Sequence, residues 1–84
     1  MKNKILVKVY VPSLDNIYEI YISVNETIKK NLELILKVIN ELSDSNFDTS
    51  VERMLVDMDT LDVYNDSAII RDTKIRNSTK LLLI

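Results

Sequence analysis

The stretch TIKKNLELILKVINEL, Thr27 to Leu42, decides the fold. Apolar residues recur in it at Ile28, Leu32, Ile35, Leu36, Ile39 and Leu42, which at about 100° per residue fall on one flank of a helix. A flank that wide needs a broad apolar partner rather than a narrow coiled-coil seam. No other stretch has helical periodicity of comparable length, and the segments on either side alternate with period two, so the partner is a single sheet. Thr27 is the expected N-cap because the apolar period starts directly after it, with Asn25 as the alternative. Lys30 would stand at N3, so there is no capping box. Leu34 and Val38 widen the apolar face beyond one sheet contact and are candidates for a secondary contact.

Working outward, Lys4 to Val11 reads as a strand with Ile5, Val7, Val9 and Val11 on its covered side. Pro12 closes it, since proline cannot donate to the ladder, and Pro12 to Asn16 carries turn residues. Ile17 to Ser23 is then the return strand of a hairpin, with Tyr18, Ile20 and Ile22 inward. Beyond the helix, Ser43 to Ser50 is polar apart from Phe47, which is expected to cap the core. Val51 to Met58 alternates again, with Met54, Val56 and Met58 on one face and Arg53, Leu55 and Asp57 on the other. Leu61 to Tyr64 is a short strand or extended turn. Ile69 and Ile70 lead a compact segment with room for a 3₁₀ turn, Ile75 is a buried plug, and Lys80 to Ile84 is the final strand with Leu81 and Leu83 buried.

The chain has 84 residues, enough for one domain over 1–84, and chains of this size bury only about 60% of the surface they expose unfolded. It contains neither cysteine nor histidine, which excludes disulfides and thiolate metal sites and removes the usual general base. The longest apolar run, Leu81 to Ile84, falls far short of the roughly 20 residues of a membrane span, and the N-terminus lacks the apolar segment of a signal peptide. A cytoplasmic protein with no membrane insertion is expected. Net charge is −2, which argues against strong nonspecific binding to nucleic acid. From Glu41 to Asp66 the carboxylates Glu41, Asp44, Asp48, Glu52, Asp57, Asp59, Asp62 and Asp66 meet only Arg53, whereas Arg71, Lys74, Arg76 and Lys80 face Asp72 alone. That polarity is either ordinary solvation or a field that steers a partner.

Catalytic chemistry has little to work with. DMDTLD, Asp57 to Asp62, lacks the central glycine and distal glutamate of a calcium loop. With no glycine, no loop can wrap a phosphate closely with backbone amides, and no serine or threonine has a histidine to activate it. No metal, cofactor or enzymatic activity is expected. Tyr10 and Tyr21 could stack bases beside the basic cluster, but no recognition helix or RNA platform is present, so nucleic-acid binding is only a remote third reading.

The order strand, strand, helix, strand, short strand, strand resembles the β-grasp or ubiquitin-like fold, an α+β architecture in which one helix crosses a mixed four- to five-stranded sheet. IIRDTKIRNSTKLLLI, Ile69 to Ile84, is similar to ubiquitin from its buried-leucine loop to its last strand. Ile70 resembles the packed leucine, Asp72 the capping aspartate, Ile75 the buried isoleucine, Ser78 and Thr79 part of the turn, and Leu81 and Leu83 the inward strand residues. EIYISVNETIKKNLELILKVI is similar to the second strand and helix, with Thr27 as the cap and Ile28 as the first buried helix residue. The chain ends without ubiquitin's diglycine tail, which argues against conjugation. Without glycine, the resemblance implies positive φ at Asn16, Asn65, Asp66 or Asn77.

Length, tail and the Ser43–Ser50 loop resemble the bacterial YukD/EsaB-like group, and Val63-Tyr64 resembles that group's apolar pair before the last loop. The group is associated with type VII (ESX-like) secretion, and the Ile, Lys and Asn usage suits a low-GC Gram-positive bacterium. By resemblance to ubiquitin, the binding patch would contain Leu6, Leu55, Leu82 and Ile84, with Arg53 and Lys80 on its rim. The implied function is a noncatalytic protein-interaction module, an accessory or regulator whose partner is a secretion ATPase or membrane component. The alternative is a self-associating regulatory or structural protein, in the simplest case a homodimer.

Overall fold

The computed structural model describes residues 3–44 and 46–84. Ser45, within the polar Ser43–Ser50 connection, lies outside the described residues. Strand β1 (Lys4–Val11) and strand β2 (Asn16–Ser23) form an antiparallel hairpin in which Val9 pairs with Tyr18 and Val7 with Ile20. Pro12–Leu14 makes one 3₁₀ turn, and Asp15 donates its N–H to the Pro12 carbonyl at 3.0 Å while standing at φ 47°. An aspartate tolerates this left-handed angle better than most residues, which lets the hairpin close without glycine.

Helix α1 (Ile28–Leu42) follows, and its first turn is capped by Thr27, whose Oγ1 accepts the Lys30 N–H at 3.1 Å. Ile28, Leu32, Ile35 and Ile39 pack into the core with Val7, Val9, Val11, Ile20 and Ile22. Each such aliphatic side chain removed from water contributes about 1.5–3 kcal/mol before entropy is counted. Leu36 is half-buried against this cluster, but Leu42, expected on the same flank, is 60% exposed because it stands in the last turn beyond the sheet's cover. Asn31, a polar residue near the start of the helix, is by contrast buried on the inner face.

Strand β3 (Leu55–Asp57) is shorter than the Val51–Met58 alternation suggests, and strand β4 (Lys80–Leu83) lies between it and β1. The sheet order is β2-β1-β4-β3, with β4 parallel to β1 and antiparallel to β3. One helix across a four-stranded mixed sheet of this order is the β-grasp topology. Val63 forms an isolated bridge with Val56 rather than a fifth strand. The Ile70–Asp72 3₁₀ turn is stitched to the helix entry, since Ile70 donates to the Glu26 carbonyl and Arg71 to that of Val24. Phe47, Ile70, Ile75, Leu81 and Leu83 are all buried, as the alternation and plugs predict.

Two expectations are corrected. Positive φ occurs at Asn3, Asp15, Asp44, Leu61 and Ser78, and not at Asn16, Asn65, Asp66 or Asn77. The phase of β3 is also the reverse of the one the binding patch required: Leu55 faces the core at 1% exposure and pairs with Leu83, while Val56 pairs with Leu82 on the other side. Met54, Val56 and Met58 contain more apolar surface than Arg53, Leu55 and Asp57, so alternation alone does not choose the inner set. Register against Leu81 and Leu83 does.

Candidate protein-interaction face

Residues directly opposite across a sheet share a face, so the outer side can be built row by row. Leu82, between buried Leu81 and Leu83, points outward, and its neighbours are Tyr10 on β1 and Val56 on β3. Tyr10 in turn faces Ile17 on β2, giving an apolar row Ile17, Tyr10, Leu82, Val56 across the whole sheet. Met54 and Ile84 extend it at one end: each donates its N–H to the other's carbonyl, at 2.7 and 3.1 Å, and both are 45% exposed. Val63 continues it past β3 through its bridge to Val56. Ile17, Met54, Val63 and Ile84 are exposed, Tyr10 and Leu82 are half-buried between their neighbours, and Val56, at 3% exposure, is covered.

Of the residues expected in the patch, Leu6, Lys80, Leu82 and Ile84 lie on this face. Leu55 belongs to the core instead, for the register reason above. Arg53 is not a rim residue: its guanidinium carbon stands 4.3 Å from the Phe47 ring centroid, and Nη2 donates to the Asp48 carbonyl at 3.1 Å. A guanidinium stacks favourably on an aromatic face, which holds Arg53 over the core peg rather than beside Leu82. Tyr10, Ile17, Tyr21, Met54 and Val63 also stand on the face and were missed, because the sequence does not show which strands stand side by side or which phase β3 takes. Leu34, 38% exposed, and Val38, half-buried against the core, sit on the helix, away from this face.

The β2 edge is partly blunted. Asn31 Oδ1 accepts the Ser23 N–H and its Nδ2 donates to the Ser23 carbonyl, both at 2.9 Å, while Asn16 Oδ1 accepts the Ile17 N–H. Backbone groups alternate in direction along a strand, so Ile17, Glu19, Tyr21 and Ser23 direct theirs away from β1. Capping at both ends leaves Glu19 and Tyr21 as the central open positions of that edge.

The aspartates do not assemble into a metal site. Asp57 Oδ1 accepts the N–H groups of Asp59 and Thr60 at 2.8 and 3.0 Å, closing the turn after β3, and Oδ2 accepts the Tyr64 hydroxyl at 3.0 Å. These donors hold the Asp57 carboxyl below its usual range. Burial, and then the Asp57 hydrogen bond, push the Tyr64 phenol up to about 12. Asp59 sits in the turn, not on a strand face beside Asp57. Among the described residues no group of three or more potential ligands could hold a metal ion, and no helix is long and apolar enough to cross a membrane.

The basic run is dispersed as well. Arg71 Nη1 donates to Asn25 Oδ1, Arg76 Nη1 donates to the carbonyls of Thr73 and Ile75, and Lys80 stands on the outer face.

No protein-family model matches this sequence, and no curated protein matches it. Solved structures do. A chain of the ESX-5 inner-membrane complex, free of MycP5 and in State II, superposes with a TM-score of 0.79 at 14% identity. The match covers 98% of this chain but only 21% of that one, so this chain spans about a fifth of its length. The N-terminal ubiquitin-like domain of the 4931431F19Rik protein gives 0.70 at 15% identity, covering 100% of this chain and 76% of that one. A chain of the toluene 4 monooxygenase HD complex with the inhibitor 4-bromobenzoate gives 0.72 at 5% identity, with 95% of both chains covered. Such low identities show a shared fold and nothing finer, and the same fold serving a membrane complex and a monooxygenase complex means that fold alone assigns no role. What the chain does show is a ubiquitin-like fold.

Proposed function

We propose that the chain is a noncatalytic protein-interaction module that docks through the outer face of its sheet. The observation that carries this is the apolar row from Ile17 through Tyr10 to Leu82, flanked by the exposed Met54–Ile84 pair and, beyond the buried Val56, by exposed Val63. A contiguous apolar patch with a charged border is what a binding surface requires, whereas scattered exposed leucines need no explanation. The finer reading is a small cytoplasmic accessory or regulatory protein of a type VII-like secretion system in a Gram-positive bacterium. Its partner would be the secretion ATPase or a membrane component. Support comes from the likeness to a chain of the ESX-5 inner-membrane complex, together with the Val63-Tyr64 pair that resembles the apolar pair of the YukD/EsaB-like group.

The test is capture from the native cell with the wild-type chain and with Ile17→Asp and Ile84→Asp, both at exposed positions. The wild type is expected to retain a component of the secretion machinery and both variants to lose it while remaining folded. Equal retention by the folded variants removes the outer face as the site, and capture without any secretion component removes the finer reading.

A second reading, self-association, is favoured by the uncapped centre of the β2 edge at Glu19 and Tyr21, since an open edge templates pairing with another strand. Sedimentation at micromolar concentration separates the two: a monomer leaves the face free for a partner, and a tight dimer supports the second reading.

A further inference from the structure

The outer face carries a second row, next to the apolar one, whose charge is unbalanced. Lys8 and Lys80 are direct cross-strand partners on parallel strands. Across the sheet, Lys8 has Glu19 on its other side, and Lys80 has Met58, whose N–H donates to the Lys80 carbonyl. One carboxylate therefore stands in a row with two ammonium groups, and like charges directly opposite one another in a sheet are destabilising. The same two lysines line a shallow cleft of about 120 Å³ with Tyr10, Ile17 and Met58. The arrangement combines paired cations with apolar walls of the kind that strengthen a charge contact by excluding water.

Resting on the reading of this face as a docking surface, we infer that the cleft takes an extended protein segment bearing a carboxylate side chain two residues from a large aliphatic one. The carboxylate lies between the Lys8 and Lys80 ammonium groups, and the aliphatic side chain lies against Tyr10, Ile17 and Met58. The spacing follows from the period of an extended chain, in which only alternate side chains face the same surface. Charge complementarity selects the carboxylate: it offsets the repulsion between the lysines, whereas a neutral group leaves that repulsion in place.

The test titrates the isotope-labelled full chain with a short end-blocked peptide, Ser-Thr-Leu-Ser-Glu-Thr-Ser, to about 1 mM, following backbone amides by NMR. The expected result is a set of shifts centred on Lys8, Tyr10, Ile17, Met58 and Lys80. Replacing the peptide's Glu by Gln, or the protein's lysines in a Lys8→Gln, Lys80→Gln double variant, is expected to weaken binding at least about tenfold, and Lys80→Arg to retain it. Amides remote from the cleft report that each variant is folded.

Equal binding of the Glu and Gln peptides overturns the carboxylate assignment while leaving the docking face intact. Absence of shifts, or shifts on another face, overturns the inference outright. Tighter binding of an oligothymidine at the same residues assigns the anion to a phosphate and overturns it too. The docking reading itself fails separately, on the capture experiment with Ile17→Asp and Ile84→Asp.

Discussion

The Asn31 side chain on the helix replaces a backbone partner for Ser23 at the end of β2, accepting its N–H and donating to its carbonyl at 2.9 Å each. A third bond from Nδ2 to the Thr27 carbonyl at 3.0 Å ties the clamp to the helix cap, and the residue is 2% exposed. A leucine at 31 keeps the branched outline with somewhat bulkier methyl groups, and leaves the Ser23 groups without these partners. Asn31→Leu is therefore expected to lower stability by about 2–3 kcal/mol in urea unfolding, although it adds apolar surface to a core position. Unchanged stability would mean that water satisfies Ser23 equally well.

Leu55 and Ile84 were expected on one binding face, and they respond differently to truncation. Leu55→Ala leaves a cavity against Leu83 and is expected to cost about 2–4 kcal/mol. Ile84→Ala, at a 45% exposed position, is expected to cost about 1 kcal/mol or less. Thermal unfolding of the two variants side by side reports the phase of β3 without a structure determination.

Leu61 holds φ 64° at 65% exposure, an angle that crowds its Cβ against its own backbone. Leu61→Gly removes about 1–2 kcal/mol of that cost and returns about 0.5–1 kcal/mol as extra freedom of the unfolded chain. A net gain of about 0.5 kcal/mol is expected, read as a higher denaturant midpoint at unchanged slope. Leu61→Val, with a β-branched side chain at the same angle, is expected to destabilise.

Tyr64 is neutral at ordinary pH, and its folded-state value of about 12 exceeds the unfolded value near 10. Its contribution to stability is thus fully present below the unfolded value and is lost as pH rises through the folded one. Absorbance titration of the folded protein is expected to show a tyrosinate transition near 12 that disappears in Tyr64→Phe. In Asp57→Asn the transition is expected to move down only part of the way, because burial is the larger cause and remains.

Asp57 carries the opposite dependence. Its lowered value reflects donors from Thr60, Asp59 and Tyr64, so its contribution is present above the unfolded carboxylate range and is lost as pH falls through the folded value. Asp57→Asn is expected to flatten the acid limb of the stability profile, measured as thermal midpoint against pH.

The sequence by itself determined the elements whose two possible faces differ sharply. Ile28, Leu32, Ile35 and Ile39 cannot face water together, and Val7, Val9 and Val11 alternate with residues that can, so helix and first hairpin follow from periodicity alone. The left-handed turn positions were not legible, because aspartate, asparagine and serine compete for such angles and the choice falls to the path of the closing chain. Asn31 was hidden by its polarity, since its burial depends on where the Ser23 backbone ends up. Only the tertiary structure decided the phase of β3 and with it the outer face. Both of that strand's faces carry apolar residues, so a one-residue change of register costs little locally. Pairing of Leu55 with Leu83, and of Met54 with Ile84, then settles which side is core and which is surface.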